Sequence, residues 1–426
     1  MTAAPAIKGW CPTLLAPMPS GDGWLARVKP ASAKLSAAAA GIIAGAARRH
    51  GNGHIDLTTR ANFQIRGLTP RSAERLADII IGAGLASSDP SLEAIRNVVT
   101  SPLGPDDEAA AFDSHAAARD IEAMLGAEPA LQALPAKFGF LVDGGGALPL
   151  VGSTADIMVR AFSGKLAVQL DGGTLVALSS PLALAETVKA LALAFLHLSW
   201  ERREPPRRMR AVVLGRGEEA IFDAAELTSV PMPSAPVTDA PSAIGFVSYS
   251  DRGEGSFGVG LPFGRIEAEA LSKLAELSER YGDGSLRTTP WRALLLSGIK
   301  EAAVPDLADE VRDEVTTLGL IADNADLRLH SFACVGAPSC ESASVDARGD
   351  ANRLAATLAP TRNRTLHVSG CAKACAYRGP AALTLVGRDG RYDLIRNGSA
   401  GDKPALTGLS IDEVIALLRP GEGQRP

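Results

Sequence analysis

A long-period internal repeat is the feature that most restricts how this chain of 426 residues can fold. Gly-Asn-Gly at 51–53 is followed by a segment that ends at Gly67, and Gly-Asp-Gly at 282–284 is followed by a segment of equal length that ends at Gly298. An extended stretch and a helical stretch precede each segment, and the landmarks recur at an offset of 231 or 232 residues. A repeat of this period indicates two halves related by a pseudo-twofold axis. The alternative is a chance resemblance between glycine turns.

Each copy predicts a strand, a helix, a second strand and a second helix, which is a small α+β unit. Thr69 and Pro70 are a plausible N-cap and first helical residue for the second helix of the first copy. We therefore expect an α+β chain with the following divisions: a first unit at 1–87, an α/β segment at 88–203, a proline-containing linker at 204–243, a second unit at 244–322 and a second α/β segment at 323–426.

Four of the five cysteines form two closely spaced pairs late in the chain. Cys334 and Cys340 are separated by five residues, and Cys371 and Cys375 by three. Each pair follows a short apolar run and enters a loop of small residues, so thiolates from two loops can converge on one centre. Four such thiolates suit a 4Fe–4S cluster. Zinc, which usually takes cysteine pairs with shorter gaps, and disulfides, which need an oxidising compartment, are the alternatives.

A polar segment in the first repeat is the second candidate functional feature. If it forms a strand, alternate residues share one face, and that face carries Arg60, Asn62, Gln64 and Arg66. Guanidinium and amide groups on one face are suited to carboxylates. The matching positions in the second repeat have lost this charge: Trp291, Ala293, Leu295 and Ser297. One large ligand site per chain is therefore predicted, with a solvated strand edge as the alternative.

Three further polar residues are candidates for the same site, namely Arg96, Asn97 and Lys137. Taken singly, each is more simply interpreted as a surface charge or a surface amide. The sequence identifies no catalytic residue. The six histidines include no pair with helical spacing beside a carboxylate, so no facial triad for iron is predicted.

Composition narrows the classes of function. The formal net charge of −5 argues against nucleic-acid binding. The apolar stretch 182–200 contains Glu186, Lys189 and His197, so we interpret it as a buried helix and not a membrane span. Residues 1–8 lack the apolar core of a signal peptide. We expect a cytoplasmic protein that contacts neither nucleic acid nor a membrane.

The chain resembles the sulfite and nitrite reductase family, which couples siroheme to a 4Fe–4S cluster. The resemblance covers nearly the whole chain and rests on Thr58–Gln64, Ile95–Val98, Pro135–Phe138 and the cysteine pairs, in this order. It implies a duplicated reductase fold, with two ferredoxin-like half-domains and two larger α/β domains. It also implies that the four cysteines hold the cluster, with Cys375 matching the one that bridges to the haem iron. The residues that it implies for binding macrocycle carboxylates are Arg60, Gln64, Arg66, Arg96, Asn97 and Lys137.

Within this family the chain is most similar to the branch that converts precorrin-3A to precorrin-3B with O2 in aerobic cobalamin biosynthesis. This similarity rests on Gly9–Pro12, Ser20–Gly23, Gly51–Gly53 and His367–Cys375. It implies a monooxygenation, with hydroxylation and lactone formation. It further implies a mononuclear non-haem iron beside the cluster, and electrons that come ultimately from NADH. Because the chain has no nicotinamide-binding glycine motif, we expect a separate reductase or ferredoxin to deliver them.

Two other classes of function stay open at this point. One is a siroheme-dependent nitrite or sulfite reductase. Those enzymes have a second lysine two residues after the position of Lys137, where this chain has Gly139. That lysine helps to bind and protonate the anion, so its loss argues against sulfite reduction without excluding nitrite reduction. The other class is a non-catalytic carrier of an iron–sulfur cluster or a tetrapyrrole.

Overall fold

Four β-sheets with helices packed against them form the framework of the chain. The computed structural model describes residues 11–162, 164–200, 207–232, 242–357 and 365–418. The predicted absence of a signal peptide at 1–8 and the Gly9–Trp10 part of one motif lie outside these residues.

The first repeat folds as a ferredoxin-like half-domain. Ser36 caps its first helix by accepting a hydrogen bond from the Ala39 N–H. Thr69 and Ser72 form a capping box at the second, with Pro70 at the first helical position, as the sequence predicts. The elements are β1 (Met18–Ser20), β2 (Gly23–Val28), β3 (Lys34–Ser36), α1 (Ala37–His50), β4 (His54–Leu57), β5 (Phe63–Leu68) and α2 (Pro70–Gly82).

A six-stranded sheet follows in the first α/β domain, with the spatial order β11-β10-β9-β8-β7-β6. Its elements are α3 (Pro90–Ile95), β6 (Val98–Thr100), α4 (Ser114–Ala127), β7 (Phe140–Asp143), β8 (Ile157–Phe162), β9 (Lys165–Leu170), β10 (Leu175–Ser179), α5 (Leu184–Trp200), α6 (Met209–Arg216), α7 (Glu219–Ala224) and β11 (Ser229–Pro231). The last three elements lie within the predicted linker 204–243. That prediction is corrected here: β11 pairs with β10, and α6 and α7 bury Met209, Val213 and Phe222 in the domain core.

The second repeat reproduces the backbone of the first. Its elements are β12 (Gly245–Ser250), β13 (Glu254–Gly260), β14 (Arg265–Glu267), α8 (Ala268–Tyr281), β15 (Ser285–Thr288), β16 (Ala293–Lys300) and α9 (Val304–Thr317). Left-handed residues recur at matching positions: φ is 55° at Ala61 and 58° at Arg292, and 71° at both Gly67 and Gly298. The gap-free match between the two copies therefore extends to individual dihedral angles.

The two half-domains exchange a strand. β14 of the second copy pairs with β4 of the first, and β3 of the first pairs with β15 of the second. The sheet orders are consequently equivalent, β1-β2-β5-β4-β14 and β12-β13-β16-β15-β3. The alanine-rich helix α1 packs on α8, and one apolar core runs through both copies. This reciprocal exchange is the pseudo-twofold arrangement that the repeat predicts.

The cysteine-bearing domain closes the chain. Its elements are β17 (Ser331–Ala333), α10 (Ala347–Thr357), β18 (Leu366–Ser369), β19 (Ala381–Arg388), β20 (Arg391–Gly398), β21 (Leu406–Leu409) and α11 (Ile411–Leu418), with the strands in sequence order. β17 and β18 are parallel neighbours, so the loops that follow them leave the same edge of the sheet. Each of these loops carries one pair of cysteines.

Helix α5 is long and apolar enough to cross a membrane by length and composition alone. More than half of its most apolar window is buried within the structure. Val188, Leu191 and Phe195 of this helix belong to the core of the first α/β domain. These contacts explain its apolar sequence as that of a core helix.

Candidate functional site

A half-open cavity of about 410 Å³ lies where the same turn of each repeat meets the first α/β domain. The first copy contributes Thr59 and Arg60, and the second contributes the equivalent residues Pro290 and Trp291. The cavity therefore lies between the two pseudo-symmetric halves. Its other walls are formed by Asn97, Val99, Gly139, Phe140, Leu141 and residues 151–155.

The turn that carries Arg60 corrects the strand prediction. Residues 58–62 form a turn closed by hydrogen bonds between the Thr58 N–H and the Asn62 carbonyl and between the Ala61 N–H and the Thr58 carbonyl. The strand begins only at Phe63, so Arg60 and Asn62 do not share a strand face with Gln64 and Arg66. The left-handed Ala61 instead directs Arg60 into the cavity.

Arg60 is the cationic wall of the cavity. Its Nη2 donates to the Lys137 carbonyl at 2.9 Å, whereas its buried Nη1 has no hydrogen-bond partner among the described residues. Burial, and then the neighbouring guanidinium of Arg208, lower the pKa of Arg60. A partly buried cation with an unused donor is a binding point for an anionic group.

Gly139 lies beside this guanidinium. A Cβ atom at position 139 would lie 4.0 Å from Arg60 Nη1 and 3.4 Å from the Asn97 carbonyl oxygen. Position 139, for which the resemblance implies a second lysine in the reductases, therefore lines the cavity, and in this chain it carries no side chain.

Sequence reasoning missed a second group of cations behind Arg60. Arg27 Nη2 donates to Gln64 Oε1 at 3.4 Å, and its buried Nε has no partner among the described residues. Lys29 is buried and donates to the Glu93 carbonyl. Burial above all lowers the pKa of Lys29 to about 7; the carboxylate of Glu93 opposes this shift, and the charges of Arg96, Arg27 and Arg60 add to it. Buried cations that repel one another favour an anionic ligand. The signal for this group in the sequence was the presence of Arg27 on β2 and of Lys29 directly after it.

Asn97 and Arg96 support the walls of the site, because their side-chain donors are already bonded within the protein. Asn97 lines the cavity, but its side-chain amide donates to the carbonyls of Ala94, Ala136 and Phe138. Arg96 is buried and pairs with Glu93 at 3.2 Å and Glu122 at 3.4 Å. Lys137 is exposed and approaches the cavity through its backbone carbonyl.

Arg66 lies in a different environment from Arg60. Its side chain is 2% exposed, forms a two-point ion pair with Asp22 and donates to Ser20 and to the Ser339 carbonyl. Asn62 is buried through backbone contacts of its turn. The seven predicted carboxylate-binding residues therefore do not form one surface, and only Arg60 and Asn97 line the cavity.

Trp291 is the aromatic wall. It is half-buried and packs against two apolar clusters, one containing Leu103 and Leu148 and the other Leu141 and Met158. The cavity thus has a cationic side from the first repeat and an apolar side from the second. Such a site suits a ligand with a flat apolar body and an anionic edge.

The four paired cysteines converge at the loops after β17 and β18. Burial raises the pKa of the Cys375 thiol, and the neighbouring thiols of Cys334, Cys371 and Cys340 raise it further. The Gly370 N–H donates to Cys334 Sγ at 3.1 Å, and a Cβ at Gly370 would meet Ala343 at 2.6 Å. The loops therefore form a glycine-lined cradle with N–H donors to sulfur, which fits an iron–sulfur cluster.

Among the described residues, which include all four of these cysteines, no three His, Cys, Asp or Glu side chains are grouped closely enough to hold a single metal ion. All five cysteines are free thiols.

An aromatic stack links the cavity turn of the second repeat to the cysteine loops. Arg292, which follows Trp291, lies 4.7 Å above the ring of Phe332 and donates to the carbonyls of Ser331 and Leu329. Phe332 stacks on Tyr377 at 4.3 Å. Because these rings lie two residues before Cys334 and two after Cys375, the turn that carries Trp291 and Arg292 is in contact with the cysteine loops.

His367 is a buried histidine four residues before Cys371. It is fully buried, and neither ring nitrogen has a partner among the described residues. Burial lowers its pKa to about 4, so it is neutral at physiological pH. His330 lies at the end of a short 3-10 turn.

Comparison with known proteins agrees with this geometry. The model of the nitrite/sulfite reductase ferredoxin-like half domain matches residues 16–82 and 250–314, which are the two repeats. The chain is 32% identical to a precorrin-3B synthase from Sinorhizobium sp, over 95% of this chain and 86% of the relative. It is 25% identical to a ferredoxin–nitrite reductase from Synechococcus elongatus, over 93% and 85% of the two chains.

A solved structure has the same fold. The Mycobacterium tuberculosis NirA protein superposes with a TM-score of 0.73 at 19% identity, covering 94% of this chain and 82% of that one. The duplicated α+β fold expected from the sequence is confirmed.

Proposed function

The chain belongs to the family of nitrite and sulfite reductases and precorrin-3B synthase, and on that premise we propose that it is an oxidoreductase that converts precorrin-3A to precorrin-3B with O2. This family in general binds iron–sulfur clusters and siroheme. The precorrin-3B synthase relative is more similar to this chain than the nitrite reductase relatives named above, so anion reduction is the less favoured activity.

The observation that carries the proposal is the asymmetry of the cavity. Arg60 offers an unused donor on one side, Trp291 offers an aromatic surface on the other, and Gly139 places no side chain between Arg60 and Asn97. A reduced tetrapyrrole has a broad apolar ring and a fringe of acetate and propionate groups, which match these two sides. A small inorganic anion needs no aromatic wall.

The chain's own residues act in binding and orientation. Arg60, with Arg27 and Lys29 behind it, binds carboxylates of the macrocycle through charge-assisted hydrogen bonds. The Asn97 side chain and the Lys137 carbonyl hold the cavity wall, Gln64 accepts a hydrogen bond from Arg27, and Arg96 donates to the backbone carbonyl of Lys29. Trp291 packs on the ring and excludes water from its face. Together they fix which edge of the macrocycle is presented for oxidation.

Cys334, Cys340, Cys371 and Cys375 would hold the 4Fe–4S cluster, which supplies one-electron transfer when bound. The reaction places one atom of O2 in the macrocycle and the other in water, and it needs two electrons and two protons. We propose that these electrons come ultimately from NADH through a separate reductase or ferredoxin, and that a mononuclear non-haem iron is a second cofactor. We also propose a cytoplasmic location.

The first test is anaerobic purification with absorption and EPR spectra and a count of iron and sulfide. Precorrin-3A, a reductant and oxygen-18 gas are then added, and the product is analysed by mass spectrometry. We expect a broad iron–sulfur absorption without a porphyrinoid band, and a product that has gained one oxygen-18 atom. A siroheme band with turnover of nitrite or sulfite, and an unchanged precorrin, would instead identify a reductase.

Gly139→Lys tests the cavity itself, because it recreates the arrangement of the reductases. The new side chain would extend beside Arg60 into the space assigned to the macrocycle, so we expect precorrin turnover to fall by about 10-fold or more. Gly126→Lys, at a position on α4 outside the cavity lining, controls for the added charge. Equal turnover in both variants would contradict this placement of the substrate.

A further inference from the structure

Arg66 connects the half-domain that supplies the cavity with the loop that carries the first cysteine pair. It lies on β5, close in sequence to Arg60, but its guanidinium contacts the β1–β2 turn and does not line the cavity. Its Nε and Nη2 donate to the two carboxylate oxygens of Asp22 at 2.9 and 2.8 Å. This two-point pairing fixes the plane of the guanidinium.

The fixed guanidinium holds the backbone of the cysteine loop. Arg66 Nη2 donates to the Ser339 carbonyl at 3.1 Å, and Ser20 Oγ donates to the same oxygen at 2.8 Å. Arg66 also donates to Ser20 Oγ at 3.0 Å. Ser339 immediately precedes Cys340, so the position of that carbonyl determines where the Cys340 backbone begins.

Gly21 completes the contact from the β1–β2 turn. A Cβ atom there would lie 2.5 Å from the Pro338 carbonyl oxygen and 3.1 Å from the Cys340 nitrogen. The turn and the cysteine loop are therefore in backbone-to-backbone contact, and any side chain at position 21 would push the loop away.

We infer that Arg66, with Ser20, Gly21 and Asp22, is a positioning site for the iron–sulfur cluster, which sets the Cys340 ligand and joins the cluster loop to the substrate-binding half-domain. This group of four residues is called the loop brace below. The inference rests on the four-cysteine cluster of the proposed function, but not on the identity of the substrate. It assigns to Arg66 a role other than the carboxylate binding expected from the sequence.

Arg66→Lys is the decisive variant, because lysine keeps the charge but cannot present the planar fork. Arg210→Lys is the control: Arg210 donates two hydrogen bonds to Asp171 in the first α/β domain and shares no partner with Arg66 or with the cysteine loop. We expect Arg66→Lys to lose iron to a chelator about 10-fold faster than wild type and to alter the EPR signal of the reduced cluster. The control should retain the wild-type rate and signal. Equal rates of iron loss and identical spectra in both variants would overturn the inference.

A metal-free measurement separates this inference from the proposed function. In the apoprotein, the rate at which a maleimide modifies Cys340 is compared with the rate at Cys371, which lies on the other loop. The loop brace predicts that Arg66→Lys raises the Cys340-to-Cys371 ratio several-fold, whether or not the protein oxidises a precorrin. Should Arg66→Lys fail to fold, Ser20→Ala removes one donor to Ser339 and is expected to shift the ratio in the same direction by less. An unchanged ratio in the soluble variant would count against the loop brace.

Discussion

The two repeats have the same backbone conformation, but their equivalent side chains differ in charge and polarity. Asp56 on β4 and Arg287 on β15 occupy equivalent positions, and both are buried. Asp56 lies among Arg66, Arg265 and Arg348, whereas Arg287 pairs with Asp106 and donates to Ser297. The same contrast recurs at the cavity, where Arg60 is matched by Trp291.

The difference shows how a duplicated scaffold becomes a single asymmetric site. Dihedral angles and strand exchange are kept in both copies because they define the shared core. Side chains that leave this core have diverged, so that equivalent positions contact different domains. Asp56 of the first copy pairs with Arg348 of the cysteine-bearing domain, whereas Arg287 of the second copy pairs with Asp106 of the first α/β domain.

The largest expected effect comes from removing the acidic centre of the first copy. Asp56→Asn leaves Arg265 and Arg348 buried without their carboxylate, which should lower the free energy of unfolding by about 3–5 kcal/mol. Arg287→Gln leaves only the partly exposed Asp106 unpaired, so we expect a loss of about 1–3 kcal/mol. Urea denaturation of the two variants measures both values. Equal losses would mean that the ion networks of the two copies are equivalent in strength.

Lowering the pH tests how much the buried carboxylate of the first copy contributes to stability. Burial raises the pKa of Asp56, but Arg348, Arg265 and Arg66 outweigh it and hold the pKa well below its usual value of 3.8. The stabilisation is therefore complete above that usual value and is lost as the pH falls below it, because the unfolded chain then binds a proton that the folded chain does not. The stability difference between wild type and Asp56→Asn should be constant from about pH 7 to 5 and narrow below about pH 4. A difference that stays constant to lower pH would contradict this.

The backbone conformation that the two repeats share can be tested at a pair of equivalent glycines. A Cβ at Gly67 would lie 2.4 Å from Asn52 Cβ, and a Cβ at Gly298 would lie 2.7 Å from Asp283 Cβ, with φ at 71° in both. Gly67→Ala and Gly298→Ala should each destabilise the protein by about 1–3 kcal/mol, and by similar amounts. Thermal unfolding gives the comparison. Gly82→Ala, on α2 with open space around its Cβ, is the control and should not destabilise.

The diverged cavity positions should differ in ligand binding more than in stability. Arg60→Ala removes a charge-assisted contact of about 1.5–3 kcal/mol, which corresponds to roughly 10- to 100-fold weaker binding of precorrin-3A. Trp291→Ala removes ring stacking of about 0.5–1.5 kcal/mol, or roughly a 2- to 10-fold loss. Anaerobic absorbance titration measures both, with the exposed Arg71→Ala as the control. A larger loss for Trp291→Ala would show that the apolar wall dominates recognition.

Much of the fold could be predicted from local sequence signals. The repeat predicted both half-domains, and Thr69 and Pro70 marked the start of α2. Residues 207–231 were misinterpreted as linker because short helices and one edge strand leave little periodicity. The strand face at 60–66 failed because the left-handed Ala61 interrupts it, and a non-glycine residue gives no sequence warning of that conformation.

The sequence by itself determined the duplication and the spacing of the two cysteine pairs, because these depend on chain position and on residue type. Tertiary structure alone decided that Arg66 turns to the cysteine loop, that Arg27 and Lys29 stand behind Arg60, and that Trp291 faces Arg60 across the pseudo-twofold axis. The physical reason is that a buried charge takes the partner that the fold brings within hydrogen-bonding distance. Asp22 and Ser339 reach Arg66 only when residues far apart in the chain are packed together.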